Sequence, residues 1–304
     1  MDGGLFGRAC ATNGAMARGI AVVIAAALAL AAPLPARADG VMLVPAGAFW
    51  MGRDDGPPEA RPLHRVYLGP YWIERHKVTN AEFAAFLNAR GPVGPDGERR
   101  YDADDADARI HLARCGDLAR AGTPTPASCA GAPTAPVWTA DPGFEHHPAV
   151  EVSWFGARDY CAWKQRRLPT EAEWEKAARG DDRRRYPWGP AAPAPARAVF
   201  GRGYNVTERG DARPQGASPH RVEDLLGNLR EWTATTLRAY PYRGDDGREP
   251  FTGAGRVVVR GASHDDPASA LHVSNRRSYD RRGAAAGHHH VGVRCATSED
   301  LGGY

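Results

Sequence analysis

Glycine and proline interrupt this chain so often that long helices have little room to form. With 35 glycines and 25 prolines in 304 residues, the apolar stretches between breakers are short, which favours short strands, short helices and many loops. Over residues 41–73 the runs V-M-L-V-P-A-G-A-F-W-M-G and H-R-V-Y-L-G-P-Y-W-I alternate apolar and polar residues as strands do. Val78-Thr79-Asn80 offers a cap for a helix over 81–89, where Phe83, Phe86 and Leu87 recur at helical spacing. A second helix is predicted over 154–166. A third begins at Leu168-Pro169-Thr170-Glu171-Ala172-Glu173, with Thr170 as cap and Glu173 as its capping-box partner, and runs to Arg179, where Gly180 stops it. That arithmetic gives Glu171 and Glu173 a structural role. Strands are predicted at 256–260 and 291–296. The whole reads as an irregular α+β domain.

Residues 1–38 carry the three-part pattern of a secretory signal peptide. Arg8 and Arg18 are its basic end, residues 19–32 its apolar centre, and Ala36-Arg37-Ala38 its cleavage site. The apolar centre, about 14 residues, falls short of the ~20 that span a bilayer. The expected location is therefore periplasmic or secreted, with no membrane span after cleavage. A net charge of +3, with arginines scattered among aspartates, gives no basic stripe and no nucleic-acid partner. Cys10 leaves with the leader; Cys115, Cys129, Cys161 and Cys295 remain. An even number in an oxidising compartment suggests two disulfides, with three pairings open. Cys115 and Cys129 share a polar, proline-containing segment that a bond between them would staple. The surrounding residues, about 90–146, are poor in aliphatics and rich in Asp, Gly, Pro and Ala. An insertion of that length is usually functional or disordered, and this one is a candidate wall for a substrate groove.

Three blocks occur in order: H-P-A-V-E-V-S-W with D-Y-C-A-W and R-L-P-T-E-A-E-W-E over 147–189; Asp224-Leu-Leu-Gly-Asn-Leu-Arg-Glu-Trp232; and Arg260-Gly-Ala-Ser263 with Val291-Gly-Val-Arg-Cys-Ala296. Together they resemble the formylglycine-generating enzyme (sulfatase-modifying factor) family. The resemblance covers about 41–296, leaves 90–146 unmatched, and implies a single domain, 39–298, of the irregular C-type-lectin-like architecture, followed by a tail at 299–304. It implies a structural disulfide between Cys161 and Cys295, so the expected pairing is that bond together with Cys115–Cys129. It also implies a structural calcium held by Asp224, Gly227, Leu229 and Glu231, two through side chains and two through carbonyls, an oxygen set that calcium accepts. Lys77 departs from the pattern, which has Glu before V-T-N.

In the family's formylglycine-generating members two cysteines follow the G-G-S element and hold copper. The corresponding stretch here, His264-Asp-Asp-Pro-Ala-Ser-Ala-Leu-His-Val-Ser274, has no cysteine. Asp266 and Leu271 align with the two copper cysteines, and copper(I) prefers soft thiolates. His264, Asp265, Asp266 and His272 form an alternative set for iron, manganese or zinc, the redox metal being left open, although a solvated Asp265-Asp266-Pro267 turn is the simpler reading. Arg230 replaces a family tryptophan and shifts the expected ligand toward planar anions. One of Arg276 and Arg277 takes the place of a family arginine near the site, and spacing does not choose between them. Ser263, Asp266, Arg230 and Arg276 are the candidate pocket residues. His288-His289-His290 reads as a loop into the last strand, because adjacent strand residues face opposite ways. The expected function is oxidative modification of a peptide or secondary metabolite without two-cysteine copper chemistry. The alternative is a lectin-like module binding a peptide, glycan or protein partner.

Overall fold

The computed structural model describes Met1 and residues 40–122, 125–203, 206–249, 255–281 and 289–298. The rest of the expected signal peptide, Cys10, Arg282, His288 and the tail at 299–304 lie outside the described residues. Among them the strands are β1 (Val41–Val44), β2 (Gly47–Met51), β3 (His64–Leu68), β4 (Tyr71–Glu74), β5 (Ile110–Arg114), β6 (Pro136–Ala140), β7 (Arg230–Thr236), β8 (Arg256–Arg260), β9 (Arg276–Asp280), β10 (Val291–Gly292) and β11 (Ala296–Thr297). The helices are α1 (Asn80–Arg90), α2 (Cys115–Arg120), α3 (Trp154–Trp163) and α4 (Glu171–Arg179). The described residues from Gly40 onward fall within one compact unit, and no described helix is long and apolar enough to cross a membrane. This is the expected α+β class, with short helices set among small sheets.

Two sheets frame the core. One has the order β1-β4-β11, the other β10-β7-β8-β9, and two hairpins, β2-β3 and β5-β6, complete the set. The β10-β7 pair is parallel and the remaining pairs are antiparallel. The Thr79 hydroxyl accepts from the Glu82 amide and the Glu82 carboxylate from the Thr79 amide, so α1 opens on a capping box. Thr170 and Glu173 do the same for α4. Helix α3 ends at Trp163 rather than Arg166, because Gln165 takes a left-handed backbone (φ 56°) that an α-helix cannot continue. The segment at 90–146 is ordered around a hairpin: β5 and β6 pair along their full length, and Cys115–Cys129 ties α2 to the turn between them.

The expected strand at 291–296 is two short pieces. Between them Arg294 turns its guanidinium inward, and Cys295 bonds to Cys161 on α3 with Cα atoms 5.5 Å apart. Both expected disulfides are therefore formed. The core on one side packs Phe83, Phe86, Tyr101, Tyr160 and Trp232; on the other, Met42, Ile73, Trp174, Leu225 and Leu226. Helix α4 also buries charge. Glu171 is bound by Arg276 through two hydrogen bonds of 2.7 and 2.8 Å, and Glu175 by Arg179 and Arg260. A buried ion network of this kind tolerates the loss of no single member, since each would leave an unpaired charge in the interior.

Candidate functional site

The site is assembled by backbone turns at the ends of β7 and β8. Gly261 follows β8 at φ 87°, and a Cβ there would meet the Leu225 carbonyl at 2.7 Å. Gly227 has φ 92°, and a Cβ would lie 2.3 Å from the Val199 carbonyl. Only glycine lets these backbones approach so closely. The turns cross-link through Gly227 N–H to the Ala262 carbonyl and His264 N–H to the Asn228 carbonyl. Ser263 and Arg230 thereby come to one place from separate motifs.

At that place Arg230 Nη2 donates to Asp266 Oδ2 at 2.6 Å, and both side chains are buried. The same Asp266 oxygen accepts from Ser263 N–H at 2.8 Å and from the Ser263 hydroxyl at 3.3 Å. The hydroxyl also donates to Asp265. Burial works against ionising Asp265, yet the Ser263 hydrogen bond and the charges of His264 and Arg230 hold it below the usual carboxylate range. Half-exposed Arg277 brings a guanidinium nitrogen to 3.6 Å from Asp266. Tyr279 donates to or accepts from His290 Nε2 at 2.6 Å, and burial raises its phenol despite the nearby Arg230 and Arg277. A cavity of about 470 Å³ opens along β9, with Glu59, Arg256, Arg276, Arg277 and Tyr279 in its wall; Ser263, Asp266 and Arg230 do not line it, and Arg277 links the two.

Three of the four candidate pocket residues, Ser263, Asp266 and Arg230, are thus brought together. Arg276 is not. It points to the opposite face of β9, where Glu171 and the Glu59 and Arg238 carbonyls hold it, so Arg277 is the arginine of the pair that faces the site. His272 is also elsewhere. Its Nδ1 pairs with the Ser274 hydroxyl at 2.8 Å, and burial, with Arg53, Arg179 and Arg185 nearby, lowers it to about 3. His264, Asp265, Asp266 and His272 therefore do not form one ligand set. The Ser263 hydroxyl bonds only to carboxylates, and no imidazole accepts from it among the described residues, which leaves it without the base a nucleophile needs.

The expected calcium residues converge, but a different cation lies among them. Lys77 Nζ is 3.0 Å from Asp224 Oδ2 and 3.3 Å from Glu231 Oε1, and it donates to the Asp224 carbonyl. Lys77 and Glu231 side chains are fully buried and Asp224 nearly so. Arg294 adds two hydrogen bonds of 2.9 Å to Glu231, and the Trp174 indole a third of 2.7 Å. Burial alone would push Glu231 up; Arg294 and Lys77 hold it below its ordinary value, whereas burial keeps Asp224 raised despite Lys77. Calcium needs six to eight oxygens at 2.3–2.6 Å. With an ammonium and a guanidinium already on these carboxylates, the donor set as arranged does not fit that ion.

Residues 27–299 match the family described as "Sulfatase-modifying factor enzyme 1-like domain". The chain belongs to this family. It is 32% identical over 300 residues to the formylglycine-generating enzyme of Thermomonospora curvata, a match covering 85% of this chain and 93% of that one. It is 36% identical to the hercynine oxygenase of Mycolicibacterium smegmatis across 69% of this chain, which spans about half (49%) of that protein. The structure of PvdO from Pseudomonas aeruginosa shares the fold, with TM-score 0.56, 22% identity and coverage of 84% and 93%. Where the family resemblance implies two copper cysteines, this member has Asp266, committed to Arg230, and Leu271, fully buried in the apolar core. Those side chains do not fit copper(I), which takes thiolates. Sequence reasoning missed Tyr279 and Glu151. The signal for Glu151 was a lone carboxylate in the apolar run Val150-Glu151-Val152, and its side chain is only 2% exposed.

Proposed function

We propose that this chain is an exported oxidative modifier of a peptide or secondary metabolite that works without two-cysteine copper chemistry. The observation that carries the reading is the buried Arg230–Asp266 pair, 2.6 Å apart, standing where the family resemblance places copper ligands and an aromatic wall. The cavity along β9 has Arg256, Arg276 and Arg277 in its wall, and Arg276 is already paired with Glu171, which leaves Arg256 and Arg277 as the cations for a ligand. A carboxylate-bearing substrate suits them, because guanidinium recognises planar anions through paired hydrogen bonds. Two names among the relatives, formylglycine-generating enzyme and hercynine oxygenase, support oxidation as the reaction class. Two disulfides and the leader pattern support export to the periplasm or beyond.

The test uses periplasmic peptide and metabolite extracts from a strain lacking the gene, incubated with the mature protein in air and under nitrogen. The expected result is a product that has lost two hydrogens, with dioxygen taking them up as hydrogen peroxide, formed only in air and much less with Arg277→Ala. Capture of a component with no mass change would replace this reading by the lectin-like binding module.

A further inference from the structure

Beside this site, and apart from it, lies a second group of side chains. Asp107 from the 90–146 segment, Glu151 from the turn before α3, and His289 from the turn before β10 each bring one ligand atom within 4.8 Å of the other two. His289 Nδ1 is 3.6 Å from Asp107 Oδ2. Asp107 and Glu151 are 5% and 2% exposed. Three elements far apart in sequence thus converge on one point, which local sequence chemistry does not require of any of them. We infer that Asp107, Glu151 and His289 bind a divalent first-row transition metal.

The Glu151 carboxylate carries the argument furthest. It is buried, and no hydrogen bond or ion pair reaches it among the described residues. A carboxylate is not normally buried without a partner, because desolvation penalises its charge. A divalent cation supplies the missing positive charge. The second observation is His264, an imidazole whose side chain is fully buried beside His289. Its ring lies 6.3 Å from that of His289.

One imidazole with two carboxylates is a borderline-to-hard donor set that suits manganese, iron, cobalt or zinc and disfavours copper(I). His289 keeps 24% of its side chain exposed, which gives an entry path and leaves room for water or another small ligand. Of the histidine run, His290 turns instead to Tyr279, so the described imidazoles of that run do not share an ion. The inference does not rest on the oxidative reading, since binding is measured with the metal alone.

The mature protein, stripped with chelator and dialysed, would be titrated with cobalt(II) chloride while visible absorption and heat are recorded. The expected result is saturable binding of one cobalt per chain with ligand-field bands. Affinity should fall at least about tenfold in both Glu151→Gln and His289→Gln, in line with the loss seen on disturbing metal sites. His289 is partly exposed, so its variant keeps the test open if the Glu151 variant does not fold. Absence of saturable binding near one equivalent, or binding unchanged in His289→Gln, would overturn the inference. An oxidase with no cobalt site, or a cobalt site with no oxidation, separates its failure from that of the proposed function.

Discussion

Replacing Lys77 by methionine keeps most of the volume of the side chain and removes its charge. In the folded protein that charge sits among Asp224 Oδ2, the Asp224 carbonyl and Glu231 Oε1. Removing one partner of a buried ion pair costs about 3–5 kcal/mol, because the other charge is stranded. Glu231 retains Arg294 and the Trp174 indole, so its share of the loss is small. Asp224 retains the Asn228 amide, at 2.9 Å, and the more distant charge of Arg294. The lower end, about 3 kcal/mol, is therefore the expected cost. At 2–4 °C per kcal/mol for a domain of this size, Lys77→Met should melt roughly 6–12 °C below the parent. Calorimetry with millimolar calcium and with chelator completes the experiment. The parent should be indifferent to both. Lys77→Met should regain part of its loss in calcium, since a cation from solution can then reach the vacated oxygens, and its deficit should shrink at acid pH as Asp224 takes up a proton. A parent that melts lower in chelator, or a variant within about 2 °C of the parent, would refute the reasoning.

Two further predictions concern stability. His272 and His220 are lowered to about 3 and 4, chiefly by burial, whereas the unfolded chain binds those protons near pH 6.5. The unfolded state thus binds more protons in this window, so stability should fall as pH drops below about 6.5, with the loss levelling off near 3–4; a melting temperature unchanged between pH 7 and 4.5, or no flattening of that slope in His272→Gln, contradicts this. Removing Cys161–Cys295, which closes a loop with a sequence separation of 134, should cost up to about 5 kcal/mol. Removing Cys115–Cys129, with a separation of 14, should cost up to about 3, and denaturant unfolding of the two double-alanine variants would check that order.

What the sequence made legible was local. The start and stop of α4 could be read because Thr170, Glu173 and Gly180 act within a turn or two of one another. Strand β7 could not, because six of its seven residues from Arg230 to Thr235 include only one that is not buried, and the alternation that marks a strand is absent. Ser263, Arg230 and Asp266 were found because each sits in or beside a recognisable motif. Arg276 and Arg277 differ only in strand parity, which depends on register with β8. Lys77 stood out as a departure, but its partners lie 147 and 154 positions away, and nothing near it in the chain announces an ammonium for those carboxylates. Asp107, Glu151 and His289 are joined only by the tertiary fold.

The pairing of Ala296 with Ile73 also orders events in time. During synthesis β1 and β4 exist long before β11, so one edge of their sheet stays open while more than two hundred further residues are added. Cys161 likewise waits for Cys295, and Glu231 waits for Arg294. A nascent chain stalled anywhere short of those last residues therefore has neither its longest covalent link nor its closed first sheet, and the domain remains a substrate for chaperones and proteases until then.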